Sequence, residues 1–166
     1  MVAGLSIETF TLLHVIISLV AIVLGIAALY TMLKSQPPGW IMHTFLVTTA
    51  LTVITGFMFP VDGFTPAVGV GMVTTLCLWP AFLGLYLFKL AGVWRVIFVV
   101  TATAALYLNC FVLVVPAFQK IGVFHALAPT QSGAPFLAVQ ALVFVAFIHF
   151  GWKALQQFHP PATAAA

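Results

Sequence analysis

Glu8 to Lys34 reads ETFTLLHVIISLVAIVLGIAALYTMLK, and this stretch decides the fold. No charged side chain interrupts it between Thr9 and Leu33. A helix rising about 1.5 Å per residue needs about 20 apolar residues to cross a hydrocarbon core about 30 Å thick. The run has no basic leading region and is too long for a signal peptide, so it reads as a retained spanning helix. His14, Ser18, Ala21, Gly25 and Ala28 recur at i, i+4, i+7, i+11 and i+14 within it. That spacing is one helical face, and its small residues let a second helix approach closely.

Outward from this run the pattern repeats. Further apolar spans are expected at about 40–59, 67–90, 93–117 and 134–157, with the first at 8–34. Gln36-Pro37-Pro38-Gly39, Pro60 to Pro66, Gly92, and the segment Gln119 to Gly133 separate them, each with residues that cannot continue a helical ladder. Of the 166 residues, 64% are hydrophobic and 4% charged, with a mean hydropathy of +1.25. Soluble domains carry about a quarter charged residues, so a soluble fold has nothing with which to cover this surface. The runs are helix-length and do not alternate as barrel strands do. The expectation is an all-α integral membrane protein. It is a five-helix bundle forming one domain over 1–159, followed by a small-residue tail at 160–166, without internal repeat.

Lys34, Lys89, Arg95 and Lys153 flank one side of these spans and Lys120 the other. The positive-inside rule then places the N-terminus outside and the C-terminus in the cytoplasm. Trp40, Trp94 and Trp152 fall at the cytoplasmic interface, where amphipathic rings anchor. The sequence pI of about 9.1 therefore reflects topology, because scattered cations do not form a nucleic-acid surface. Cys77 and Cys110 lie in apolar runs without a CxxC pair and read as buried thiols.

Residue counting places polar side chains of several helices at one depth. His14, Thr55 and Gln140 each lie five or six residues beneath the outer end of their spans, about 8 to 9 Å deep. Asn109, counted from Trp94 across the core, arrives at a similar level, with Tyr107 at its border. Thr44, Thr48, Thr52 and Thr55 form a hydroxyl stripe expected to face the bundle. Two readings of this layer stand side by side: interhelical hydrogen bonding at about 1 kcal/mol per contact, or an outer-leaflet cavity for a quinone-like or other amphipathic ligand.

His43 and His149 form a second constellation. One follows Trp40 by three residues and the other precedes Trp152 by three, so both lie about 4 to 5 Å inside the cytoplasmic interface. Equal depth on separate helices suits bis-imidazole ligation of haem b; the alternative is two imidazoles bonded to backbone or headgroups. His14 with His125 is a weaker outer pair, since His125 belongs to a loop. Pro80 and Pro116 should free carbonyls near Leu76 and Val112 and kink their helices.

The missing groups are equally informative. Glu8 and Asp62 are the only acids and both are assigned outside, which leaves no intramembrane carboxylate for a conventional proton relay and no acid pair for hydrolysis. No HExxH, GxSxG or Walker loop occurs. A metal held by Glu8, Asp62 and His125 has no defining spacing, so no metal site is assigned.

The stretch Ala105 to Val115 (ALYLNCFVLVV), with Phe118-Gln119-Lys120 and Leu127 to Ser132 (LAPTQS), resembles uncharacterised small polytopic proteins of bacterial inner membranes. The likeness continues through Thr55 to Pro60 and covers roughly half the chain. It implies a bacterial inner membrane and no activity. Small membrane b-type cytochromes share histidines in helices, but the pairing of His43 with His149 is a match of depth and not a family motif. The leading functional expectation is a non-enzymatic accessory or structural subunit of a larger membrane complex, its partners being lipids and other membrane subunits. A haem-dependent electron-transfer or quinone-interacting protein, and a carrier or sensor of a small amphipathic ligand, are the alternatives.

Overall fold

The computed structural model describes residues 1–2, 4–61, 63–122 and 133–160. Among them are helices α1 (Ile7–Leu33), α2 (Trp40–Phe57), α3 (Pro66–Phe82), α4 (Val93–Lys120) and α5 (Ala134–Gln157), with no strand. All five are long and apolar enough to cross a membrane once α3 is taken with the turn that continues it, consistent with a multi-pass membrane protein.

Local chemistry sets the ends. The Ser6 hydroxyl accepts the Thr9 N–H at 3.2 Å and the Thr65 hydroxyl accepts that of Val68 at 3.3 Å, each satisfying an amide orphaned at a helix start. Pro66 opens α3, where its missing N–H costs nothing. The α1–α2 turn passes through Ser35 at φ 51°.

The third span ends differently from the Pro80-kinked helix expected to Leu90. Its α-geometry stops at Phe82, and Leu83–Leu87 form a π-helical turn that closes with the Phe88 N–H on Leu83 O at 2.9 Å. Pro80, which gives no N–H to Leu76, lies just before this turn, but α3 stays α-helical across it to Phe82. Gly84 in the wide turn lies against α4. A Cβ there would sit 3.2 Å from Trp94 O and 3.3 Å from Phe98 Cβ. Lys89, Leu90 and Gly92, all at positive φ, then reverse the chain. Around Pro116, too, α4 stays helical through to Lys120.

Successive helices are antiparallel. His14 meets Thr55 and Phe10 meets Phe59 between α1 and α2. Gln140 meets Phe111 and Arg95 meets Leu155 between α4 and α5. Lys34, Lys89, Arg95 and Lys153 therefore share one end of the bundle, called here the cationic end.

The core lies in the cationic half. Met32, Met42, Phe45, Leu46, Phe98, Val99, Leu106 and Phe158 are all at most 1% exposed. The expected small-residue face of α1 takes part, with Ala21, Gly25 and Ala28 buried. A Cβ on Gly25 would collide with Leu106 Cδ1 and lie 2.8 Å from Phe45 Cε2, so glycine is what lets α2 and α4 close on α1. A smaller cluster of Phe118 and Phe136 joins α4 to α5 at the opposite end. Arg95 fastens the cationic end by donating to the Leu155 and Phe158 carbonyls, at 3.1 and 2.8 Å, where α5 leaves its own carbonyls unpaired.

Candidate functional site

Helix packing distributes the polar residues over three separate interfaces. Between α1 and α2, His14 Nδ1 and Thr55 Oγ1 are 2.7 Å apart. The Thr55 hydroxyl donates to Leu51 O at 2.7 Å, which commits its only proton, so His14 is the donor through Nδ1–H. The ring is walled by Phe59 at 5.3 Å, edge to face. Between α2 and α4, Asn109 Nδ2 donates to the fully buried Thr49 hydroxyl at 3.3 Å. Between α4 and α5, Gln140 Nε2 donates to Phe111 O at 3.1 Å while its Oε1 is buried without a partner among the described residues. Tyr107 adjoins this last interface through Phe144 and Phe147, with ring centroids 5.6 and 5.8 Å away.

No hydrogen bond among the described residues links one of these pairs to another, and they occupy different levels. Thr49 and Thr55 are six residues apart on α2, or about 9 Å along the axis. Counting from Trp94 places Asn109 too far toward the outer end because α2 and α4 do not begin at the same height. Asn109 lies about 24 Å along α4 and its partner Thr49 about 14 Å along α2, so α4 starts about 10 Å further out at the cationic end. Depth counts from one tryptophan per helix cannot detect such an offset.

The threonine stripe of α2 serves its own helix first. Thr44, Thr48, Thr52 and Thr55 donate to the carbonyls of Trp40, Thr44, Thr48 and Leu51. Thr55 is the member that also bonds across to another helix.

His43 and His149 are placed apart. His43 Nδ1 is 2.8 Å from Tyr86 Oη, a residue of the π turn that sequence reasoning did not single out. His149 is exposed on α5, with Phe150 as its ring neighbour at 5.3 Å. Here α2 packs mainly on α1 and α3, and α5 on α4 and α1. Cys77 and Cys110 are free, half-buried thiols. Among the described residues no three of His, Cys, Asp and Glu converge. Asp62 and His125 lie outside the described residues.

Two further features are visible only in three dimensions. A cavity of about 440 Å³ opens between α2 and α3, lined by Ala50, Ile54, Phe57, Thr75, Trp79 and Phe82 among others. The Thr75 hydroxyl donates to Gly71 O at 2.8 Å, so the walls are apolar in effect. The second feature is the outer flank of α5. Ala138, Leu142, Val145, His149, Trp152 and Gln156 are all exposed and recur at alternating steps of four and three. Leu142, Val145 and Trp152 are 69%, 62% and 63% exposed. Only 11% of the most apolar stretch of α5 is buried, against 39% for α4.

Alternation of four and three marks one face of any helix, and Leu12, Ile16, Leu19, Val23, Ile26 and Tyr30 repeat it on α1; what sets the α5 face apart is the histidine within it. The buried residues Phe136, Gln140 and Ala154 occupy the opposite side. The bundle thus uses one face of α5 and leaves a second, regularly spaced face free among the described residues. Comparison of the chain with family models, curated proteins and solved structures found no match.

Proposed function

We propose that this chain is a non-catalytic accessory subunit of a larger complex in a bacterial inner membrane, and that it docks there through the outer flank of α5. Its N-terminus is outside and its C-terminus in the cytoplasm, following the distribution of cations. The observation that carries this reading is His149 in the exposed seam. Headgroups near the interface can bond such an imidazole, but a facing helix can do so as well, and the polar residues of an otherwise apolar seam, here His149 and Gln156, fix the register of a partner.

The apolar members of the seam fit the same reading. Between helices in lipid there is little hydrophobic drive, so association depends on shape and on polar contacts, and Leu142, Val145 and Trp152 provide ridges of regular spacing around His149. The test is purification of the tagged chain from native membranes in a mild detergent. Copurification of a larger membrane protein at fixed stoichiometry, weakened by His149→Leu, is the expected result. A stable monomer with its own turnover overturns the proposal, as does a homodimer with no other subunit.

A further inference from the structure

On α2, His43, Ala50, Ile54 and Phe57 recur at i, i+7, i+11 and i+14. On α3 and its π turn, Thr75, Trp79, Phe82 and Tyr86 recur at i, i+4, i+7 and i+11. Each set shares one helical face. The apolar members are the walls of the 440 Å³ cavity, and the two faces meet at the cationic end in the hydrogen bond between His43 and Tyr86. Phe82 stacks on Tyr86 at 5.7 Å with an interplanar angle of 18°, so the wall of the cavity adjoins a polar head at Tyr86.

That head retains a hydrogen-bond donor whichever way the shared proton lies. If Tyr86 donates to Nδ1, His43 keeps an Nε2–H; if Nδ1–H donates to Tyr86, the phenol keeps its O–H. Tyr86 is 47% exposed, which leaves the head accessible from outside the bundle. Among the described residues no acid lies at the same end to take the spare donor, since Glu8 is in the first turn of α1. Lys89, three residues beyond Tyr86, and Lys34 add positive charge there. The π turn that carries Tyr86 is a geometry often found at functional sites.

We infer that the α2–α3 groove is a binding site for one phospholipid with an anionic headgroup. A tail fills the apolar cavity, and an anionic headgroup oxygen accepts the spare donor of the His43–Tyr86 pair beside Lys89. A charge-assisted hydrogen bond at the groove mouth separates this lipid from neutral ones that would otherwise fill the same space. The site requires the membrane-spanning reading but not the docking role of α5.

Trp79 in the groove wall reports occupancy. The full-length chain is placed in phosphatidylcholine nanodiscs containing increasing fractions of phosphatidylglycerol or phosphatidylcholine with brominated tails, and the emission lost in Trp79→Phe is assigned to Trp79. Half-quenching is expected at a roughly tenfold lower fraction of brominated phosphatidylglycerol than of brominated phosphatidylcholine. His43→Leu combined with Tyr86→Phe should abolish this discrimination. If that double variant fails to fold, Ala50→Phe, which fills the groove, should remove the saturable component and leave ordinary annular quenching. Equal quenching by both lipids in the wild-type chain overturns the inference, as does discrimination that survives the loss of both head residues. Stronger quenching protection by a neutral isoprenoid quinone than by unbrominated phosphatidylglycerol also overturns it.

Discussion

Replacing Gly25 by alanine tests the packing on which the bundle depends. The new methyl group would collide with Leu106 Cδ1 and stand 2.8 and 2.9 Å from two carbons of the Phe45 ring. Both neighbours are only 1% exposed, so neither has free space into which to turn. Overpacking of this kind costs about 1 to 3 kcal/mol, and the better helix propensity of alanine returns at most about 1 kcal/mol. With that full return, a net loss of up to about 2 kcal/mol is expected. Gly56→Ala is the matched control, since its methyl would meet only His14 Cε1 at 3.6 Å, an ordinary contact.

The assay is reversible unfolding in mixed micelles with increasing denaturing detergent, followed by circular dichroism. A cycle with Leu106→Ala identifies the cause. That change alone opens a cavity and costs about 2 to 5 kcal/mol, but in the Gly25→Ala background it also removes the clash. The double variant should be more stable than the sum of the single losses by about 1 kcal/mol or more. Gly25→Ala behaving like Gly56→Ala, or strict additivity with Leu106→Ala, would refute the packing argument.

Other outcomes follow from individual contacts. Arg95→Gln removes the charge from two carbonyl contacts at the end of α5 and should loosen that end by about 1 to 3 kcal/mol, read as faster amide exchange from Ala154 to His159; unchanged exchange there counts against the latch. Gln140→Met gives up one hydrogen bond but also an acceptor buried without a partner among the described residues, so stability should stay within about 1 kcal/mol of wild type, whereas a loss of several kcal/mol would reveal a partner for Oε1. The separate placement of His43 and His149 predicts that haem-sufficient expression yields no Soret band that vanishes in both His43→Ala and His149→Ala.

The five helices were legible because their signals are local. Apolar runs and turn residues such as Pro37-Pro38-Gly39 depend on no other part of the chain, and α2 and α5 start where those signals place them. The end of the third helix was not legible. The π turn at Leu83–Leu87 has no local signal, since it sits where Gly84 packs against Trp94 and Phe98 of another helix. The polar residues were recognised as such, but their grouping required relative helix heights that no count within one helix contains. Asn109 met Thr49 instead of His14 for that reason. Tyr86 escaped notice because its partnership with His43 depends on α3 lying beside α2 and on the π turn that aims it. The α5 seam was present in the sequence, yet its significance rests on knowing that the bundle buries the other side.

What touches that seam in the membrane decides whether α5 docks a partner. A photoreactive amino acid placed at Val145, 62% exposed on α5, and separately at Val23, 66% exposed on α1, would be activated in intact bacterial membranes. A discrete protein adduct heavier than a self-dimer is expected from Val145 and none from Val23. Lipid adducts alone at both positions, or a Val145 adduct of twice the chain's own mass, would contradict the docking role of α5.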